Sequence, residues 1–244
     1  MLNLAALLCL TTPIQDSKEV TKDWKHPWAD ASVGTWVKYR LTHYQPSQSG
    51  GYEEKSTERK ETVMKVSKSF LEIESKEGDS EPMARRVHTG LPGELNYKMT
   101  RAGEEEVKVG DRTYACVVYE FRTGPVKKGG KDGGQLLKVW KAAGAPSWAV
   151  KQRFWLDAQK EDGWTDELTG AETLKTAGKE YACAVVRKTT TMKAGRTPIQ
   201  SVETTWRNPE VPGGFVKRVE QKIMNGKEQK NMESATLLLE FGTK

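Results

Sequence analysis

The sequence contains few cysteines, few histidines and few apolar residues. Three Cys and three His occur among 244 residues, and hydrophobic residues make up 36% of the chain. Three cysteines are too few for a disulfide-dense miniprotein, and the apolar content is too low for a polytopic membrane protein. The histidines lie in no metal-binding spacing, and there is no Cys-x-x-Cys pair. These shortages leave an ordinary globular protein with a broad solvated surface.

Catalytic signatures are also missing. The chain has no Gly-x-Ser-x-Gly nucleophile motif and no Gly-rich phosphate loop that leads into a helix. Residues 161–167 are rich in carboxylates that could hold Ca²⁺, but they lack the alternation of an EF-hand and are typical of a solvated hairpin tip. The sequence therefore predicts a protein that is not an enzyme and that binds no metal or cofactor.

The longest apolar run lies at the N-terminus. Residues 2–10 are apolar apart from Asn3, and the first charged side chain is Asp16. Nine residues are too short to cross about 30 Å of hydrocarbon, but they suit the apolar region of an export signal. We expect residues 1–15 to form a signal peptide and residues 16–31 to form a tether.

These features predict a secreted or periplasmic protein without a membrane span in its mature form. Cys9 follows Leu8, whereas lipid attachment to a cysteine needs a small residue at the preceding position. We therefore do not expect a lipoprotein.

Charge is distributed unevenly along the chain. The net charge is +6, but residues 1–122 carry 18 basic and 19 acidic side chains, whereas residues 123–244 carry 21 and 14. A basic half can steer an anionic envelope polymer toward the protein. The one dense group of lysines, Lys127, Lys128 and Lys131, is too small for a nucleic-acid surface, so nucleic acid is not an expected partner.

Period-two alternation of apolar and polar residues predominates after residue 30 and predicts β-strands. Val37, Tyr39 and Leu41 share one face of such a strand, and the turn sequence Asn225-Gly226 favours a tight hairpin. We expect an all-β fold in which long antiparallel strands form a curled sheet or unclosed barrel with little helix. The expected strands cover residues 35–44, 52–66, 69–77, 112–122, 134–142, 148–158, 179–192, 198–207 and 214–224, and the C-terminal segment in which Ala235, Leu237, Leu239 and Phe241 share a face.

Two stretches are less clear. Residues 53–66 are rich in Glu, Lys and Arg and also allow a helix, and residues 81–106 show no readable pattern.

An internal repeat is the strongest signal in the sequence. Tyr-Ala-Cys-x-Val at residues 114–118 recurs at residues 181–185, and Trp-x5-Pro-x3-Val-Lys at residues 140–151 recurs at residues 206–217. Eight identities in one order at a nearly constant offset indicate a duplication. We expect a single domain at residues 32–244 that contains copies at about 104–158 and 174–224. The residues that define the repeat are Cys116, Trp140, Pro146, Val150, Lys151, Cys183, Trp206, Pro212, Val216 and Lys217.

Cys116 and Cys183 occupy equivalent positions in the two copies. Equivalent strands of a flat sheet that repeats every three or four strands lie about 14 to 19 Å apart, whereas a disulfide needs Cα atoms within about 7 Å. Two separate buried thiols are therefore favoured, and a disulfide requires the sheet to curl back on itself.

Tryptophan is abundant, with eight residues. Trp140 and Trp206 are equivalent in the repeat and are expected to cover the core at strand ends. Lys151 and Lys217 could bind an anionic headgroup, but alternation places both on the outside. The tryptophans that could instead stack on a sugar or line a lipid-facing cleft are Trp24, Trp28, Trp148 and Trp164.

Several motifs carry a family resemblance. His-Pro-Trp-Ala at residues 26–29, Val-Gly-Thr-Trp-Val-Lys-Tyr at residues 33–39 and Val-Pro-Gly-Gly at residues 211–214 resemble a family of uncharacterised secreted bacterial proteins of planctomycete type. The block from Trp206 to Lys217 is also similar to domains related to the LolA/LolB-like periplasmic lipoprotein carriers. That resemblance implies an unclosed antiparallel barrel whose concave face holds acyl chains.

Taken together, the residues and the resemblance predict a secreted or periplasmic protein that binds a lipid or another hydrophobic ligand on a concave sheet face. The alternative is a structural or interaction module of the cell envelope that binds anionic polysaccharide. The candidate ligand-binding residues are Val37, Tyr39, Leu41, Phe154, Leu156, Leu237 and Leu239.

Overall fold

The computed structural model describes residues 26–68, 70–89, 97–123, 134–156, 159–194 and 197–243. Within these ranges, fourteen β-strands form one antiparallel sheet, and a 3-10 helix at Lys230–Met232 is the only helix. The predicted all-β class is confirmed. The strands are β1 (Thr35–Pro46), β2 (Tyr52–Val66), β3 (Phe70–Glu77), β4 (Met83–His88), β5 (Tyr97–Val109), β6 (Arg112–Thr123), β7 (Gln135–Lys141), β8 (Lys151–Leu156), β9 (Gln159–Thr176), β10 (Lys179–Ala194), β11 (Thr197–Arg207), β12 (Phe215–Met224), β13 (Lys227–Glu228) and β14 (Ser234–Thr243).

Most neighbours in the sheet are also neighbours in the chain. The order is β4-β3-β2-β1-β14-β12-β11-β10-β9-β8-β7-β6-β5, and the short β13 pairs only with β12. Strand β14 joins strands β1–β4 to strands β5–β12 because it pairs with both β1 and β12. Strands β4 and β5 are the edges, and no pairing joins them within the described ranges. The sheet is therefore not closed.

The sheet curls strongly. Strands β6 and β10 lie four positions apart, which corresponds to roughly 19 Å in a flat sheet. Nevertheless, Cys116 and Val118 of β6 belong to one buried cluster with Ala184 and Val186 of β10. Such packing requires the sheet to bend until one face of β6 packs against the same face of β10.

The four-strand units β5–β8 and β9–β12 have matching strand registers. Cys116 lies opposite Glu105 in the first hairpin, and Cys183 lies opposite Glu172 in the second. The two units thus place the same residue types opposite each other across equivalent strands.

A β-bulge occupies the same place in both hairpins. The pair directly beside the register shift is Gly103 with Val118 in the first hairpin and Gly170 with Val185 in the second. Because a bulge inserts one extra residue at a defined position, its recurrence supports the proposed duplication. The matching pairing extends upstream of the expected copies, into β5 and β9.

Three long or edge strands differ from the expectation. Strand β9 replaces the hairpin tip expected at 161–167, and β4 and β5 lie in the stretch without a readable pattern. The bulges interrupt the alternation of β5 and β9, and both strands are rich in charged residues, which are depleted in strands. Residues 53–66 lie in β2, so the helix that their composition allowed is wrong.

The predicted signal peptide at 1–15, residues 16–25 of the tether with Trp24, and the lysines at 127, 128 and 131 lie outside the described residues. Among the residues that are described, no helix is long and apolar enough to cross a membrane.

Candidate functional site

A short N-terminal segment, residues 26–31, packs across the sheet, and we call it the strap. Its Trp28 is 5% exposed and belongs to the same buried cluster as Val37, Tyr39 and Leu238. The strap is therefore anchored to the core through Trp28.

Hydrogen bonds join the strap and β1 to the turn before β12. The Gly213 N–H donates to the carbonyl of Pro27 at 3.2 Å, and the Tyr39 hydroxyl donates to the carbonyl of Pro212 at 3.2 Å. Burial raises the pKa of Tyr39, so its hydroxyl keeps its proton and remains a donor at neutral pH.

His26 shapes the first turn of the strap. The backbone N–H of Trp28 donates to His26 Nδ1 at 3.2 Å. Partial burial lowers the pKa of His26 from its ordinary value. A lowered pKa favours the neutral imidazole, which is the form that can accept this hydrogen bond.

Two glycines allow the turn to approach the strap closely. Gly213 and Gly214 have φ values of +84° and +77°. A Cβ atom on Gly214 would lie 2.7 Å from the Cβ atom of Pro27, and one on Gly213 would lie 3.0 Å from the Tyr39 hydroxyl oxygen. Both the backbone conformation and the space therefore require glycine here.

Two clefts border the strap and share a wall that includes Trp28, Phe215 and Arg218. The first, about 730 Å³, is lined by two turns that are equivalent in the repeat, residues 146–148 and 209–214, and we call it the turn cleft. The second, about 980 Å³, extends along β2, β3 and β4, and we call it the edge cleft.

Ring side chains dominate the apolar part of the turn cleft. Trp28 comes from the strap, Trp148 from the first turn, Phe215 from β12 and Phe241 from β14. Phe215 stacks on Tyr39 with ring centroids 4.6 Å apart and an interplanar angle of 6°. Phe215 of the shared wall is thus held by stacking on a side chain of β1 that lines the edge cleft.

Charged groups of the turn cleft are held by the sheet. Arg207 Nη2 donates to Asp166 Oδ2 at 3.1 Å. Asp166 is buried, and its Oδ1 accepts no hydrogen bond from the described residues. Strand pairing places Gln152 and Lys188 opposite Asp166 on the two neighbouring strands. One oxygen of a buried carboxylate therefore retains unused acceptor capacity.

The edge cleft contains arginines and carboxylates that pair with each other. Arg85 Nη2 donates to both carboxylate oxygens of Glu61 at 3.1 Å, and Arg59 Nη2 donates to Glu77 Oε2 at 2.7 Å. The hydrogen bond from Arg59 is the main cause that lowers the pKa of Glu77. These arginines are occupied by carboxylates of the protein.

The predicted apolar face of the last strand is wrong. Register shifts beside Leu239, so Leu238 lies opposite Tyr39, whereas Leu237 lies opposite Arg40. The bulge moves Leu238 into the core and breaks the alternation that grouped Leu237 and Leu239 with Phe241. Because residues 237–239 are all leucine, the sequence does not show where the alternation changes.

The other predicted ligand-binding residues are dispersed. Val37 is buried in the core, and Leu41 is half-buried opposite Thr57. Phe154 stacks on Trp164 at 5.7 Å, and both pack against an apolar cluster that Trp148 also contacts. The side chain of Leu156 lies outside the described part of the structure. Of the six candidates whose side chains are described, Tyr39 alone lines either of the two clefts.

Sequence reasoning missed the residues that shape the cleft wall. Trp28 and Trp148 were among the tryptophans considered for a cleft, but Phe215 and Arg218 carried no signal of their own. The repeat contained a signal for Arg218, because it aligns Arg218 with Gln152 at the position after Val-Lys. Both residues line the turn cleft.

The repeat tryptophans form two equivalent structural contacts. Trp140 Nε1 donates to Glu105 Oε2 at 2.7 Å, and Trp206 Nε1 donates to Glu172 Oε2 at 2.6 Å.

The repeat lysines cover these tryptophan rings. Lys151 Nζ lies 5.6 Å from the Trp140 ring centroid, and Lys217 Nζ lies 4.6 Å from that of Trp206. The lysines therefore make cation–π contacts within the protein.

Cys116 and Cys183 are free and buried, so the disulfide alternative is wrong and the two separate thiols are confirmed. Each thiol donates to the carbonyl two residues earlier, at 3.5 Å for Cys116 and 3.4 Å for Cys183. Burial raises the pKa of both thiols. They act as small core residues.

Within the described ranges, no group of three or more His, Cys, Asp and Glu side chains is arranged to hold a metal ion. Residues 161 and 162 of the acidic stretch lie in β9, and their side chains are outside the described part.

Comparison with known proteins gives only distant likenesses. No family model matches the chain, and no curated protein matches it. A protein described as exported, with a YmcC-like fold, from Bacteroides fragilis is 13% identical with a TM-score of 0.36, and the match covers 87% of this chain and 97% of that one.

Two lipoproteins show a similar degree of likeness. One, from Parabacteroides distasonis, is 13% identical with a TM-score of 0.37 and coverages of 86% and 96%. The other, the hypothetical lipoprotein YmcC from Escherichia coli, is 12% identical with a TM-score of 0.30 and coverages of 84% for both chains. These likenesses leave the planctomycete-type resemblance untested.

Proposed function

We propose that the protein is a binding protein of the cell envelope that holds a hydrocarbon chain in the turn cleft. The observation that carries this proposal is the meeting of Trp28, Trp148, Phe215 and Phe241 around a cleft of about 730 Å³. This volume lies within the range of roughly 300 to 1,000 Å³ that is usual for small-molecule sites.

The energetics favour a chain of moderate length. Burying a methylene group contributes about 0.8 kcal/mol, so roughly ten methylenes would contribute on the order of 8 kcal/mol before the cost of ordering the chain. A dissociation constant in the micromolar range or weaker follows.

The polysaccharide alternative from the sequence remains a prediction, and the geometry favours it less. Its surface would have to come from lysines of the basic half. Lys151 and Lys217 lie over tryptophan rings, and Lys179 forms an ion pair with Glu210 at 3.0 Å. These lysines already interact with groups of the protein.

Quenching of tryptophan emission by a dibrominated fatty acid tests the proposal. Bromine quenches indole fluorescence at short range, so a chain in the turn cleft should quench Trp148 saturably, at micromolar or higher concentration. W148F should lose a clear share of the quenching amplitude. W155F is the matched control, because Trp155 lines neither cleft and its Nε1 makes no hydrogen bond within the described residues.

Two results would contradict the proposal. One is the absence of saturable quenching in the wild-type protein. The other is an equal loss of amplitude in W148F and W155F, which would show that the chain binds elsewhere.

A further inference from the structure

We infer that Arg218 is an anion-binding residue and that the ligand is a hydrocarbon chain with an anionic head group. This inference rests on the proposed function and specifies its ligand class. It comes from Arg218, which among the described arginines is the one that lines both clefts.

Arg218 is held in place by its surroundings. Its guanidinium carbon lies 4.5 Å from the centroid of the Phe215 ring, and strand pairing places Thr205 and Thr236 on either side of it. The side chain is 42% exposed. A guanidinium that lies over an aromatic ring and lines a cleft is well placed to bind a carboxylate or phosphate.

Its hydrogen-bonding capacity is largely unused. Within the described residues, the one ion pair of Arg218 joins Nε to Glu203 Oε2 at 3.6 Å, which is too long for a hydrogen bond. Arg207 and Arg85, by contrast, donate to carboxylates at 3.1 Å. A guanidinium has five N–H donors, so Arg218 can donate to a ligand without giving up a bond.

The nearby carboxylates have other partners. Glu220 accepts a hydrogen bond from Ser201 at 2.8 Å and forms an ion pair with Lys222, which is the main cause that lowers the pKa of Glu220. Glu203 accepts a hydrogen bond from Thr205 at 3.2 Å. These contacts reduce the competition between the carboxylates and an incoming anion.

The two repeat-equivalent positions in the turn cleft differ in charge, and this difference orients the ligand. Gln152 occupies the equivalent position in the first copy and also lines the turn cleft. A neutral amide at one position and a guanidinium at the other distinguish two otherwise similar parts of the cleft. The head group is therefore assigned to Arg218, and the chain extends toward Trp148.

Competition against the dibrominated fatty acid tests this assignment with three twelve-carbon ligands: laurate, dodecyl phosphate and neutral dodecanol. We expect wild-type protein to bind at least one of the anionic ligands about tenfold more tightly than dodecanol, because charge-assisted hydrogen bonds are the stronger ones. A preference for one of the two anions identifies the head group and supports the inference.

The variants separate Arg218 from general charge. R218Q, which installs the residue of the first copy, should remove the preference for anions, and R218K should retain part of it. R187Q is the control, because Arg187 is exposed on β10 and lines neither cleft. If R218Q does not fold, Q152R replaces it and should increase the affinity for the anionic ligands.

The outcomes distinguish the two levels of the proposal. Equal binding of dodecanol and both anions by the wild-type protein would overturn the inference and leave the proposed function in place. An equal effect of R187Q and R218Q, or no change in Q152R if that variant is used, would also overturn it. If none of the ligands binds and the brominated probe does not quench, the proposed function itself fails.

Discussion

Trp140 and Trp206 each donate an indole N–H to a glutamate that lies opposite a buried cysteine. The hydrogen bond from Trp140 is the main cause that lowers the pKa of Glu105. A carboxylate with a lowered pKa stabilises the folded state above the pKa of the unfolded chain, about 4.3, and this contribution disappears as the pH falls through the folded pKa.

W140F is expected to show this dependence on pH. The variant should lose about 1 kcal/mol of unfolding free energy at pH 7 through the hydrogen bond, a modest value because Glu105 is half-exposed. The smaller ring adds a packing loss that does not depend on pH. The measurement is urea unfolding of both proteins at pH 7 and at pH 3, and an unchanged difference between the two pH values would contradict the account.

The sequence predicted some of these individual residues but not all of them. The repeated tryptophans and cysteines were readable because their identities and spacing recur. Glu105 and Glu172 were not, because strand register decides which residue lies opposite a cysteine and each hairpin contains a bulge that shifts that register. The sequence did not identify Arg218 for a similar reason. Its proposed role in anion binding depends on the Phe215 ring and on a cleft, and both are brought together only by tertiary packing.

The element that organises the site is the strap, together with the turn that supports it. Gly214 approaches Pro27 so closely that a side chain cannot fit without displacing the strap. Gly226, in the turn between β12 and β13, has a similar φ of +73°, but a Cβ atom there would meet nothing within 4 Å. A substitution at Gly226 therefore tests the cost of positive φ alone, whereas one at Gly214 also tests the steric clash with Pro27.

G214A is expected to destabilise the protein more than G226A. A non-glycine residue at positive φ costs about 1 to 2 kcal/mol, and overpacking against Pro27 adds about 1 to 3 kcal/mol in G214A alone. Chemical unfolding monitored by tryptophan emission gives both values. Equal losses of unfolding free energy in the two variants would show that the strap does not depend on this close approach.

Strand positions were predictable where alternation was uninterrupted and turns were marked by Gly, Pro or Asn. Strands β1, β2 and β10–β12 follow these signals closely. Strands β5 and β9 do not, because bulges beside Gly103 and Gly170 change the period and charged residues replace the β-branched ones. Pairing with neighbours, not intrinsic preference, makes these segments strands.

Across the described ranges, the molecule is one open antiparallel sheet that curls so that strands distant in the sheet order share a core. Alternation and the repeat could predict such a sheet. They could not predict which parts meet, because the turn cleft joins the strap to turns at 146–148 and 209–214, which are far away in the chain. The low apolar content is consistent with this architecture, since many residues of the long strands remain exposed or half-buried.

A crystal structure of the protein with a brominated fatty acid tests the central claim most directly, because anomalous scattering locates bromine without reference to the rest of the map. The account predicts bromine beside Trp148 and Phe241 in the turn cleft, and a carboxylate within hydrogen-bonding distance of Arg218. Bromine beside the stacked pair of Phe154 and Trp164, which lie outside the turn cleft, at the surface, or nowhere at saturating ligand would contradict it.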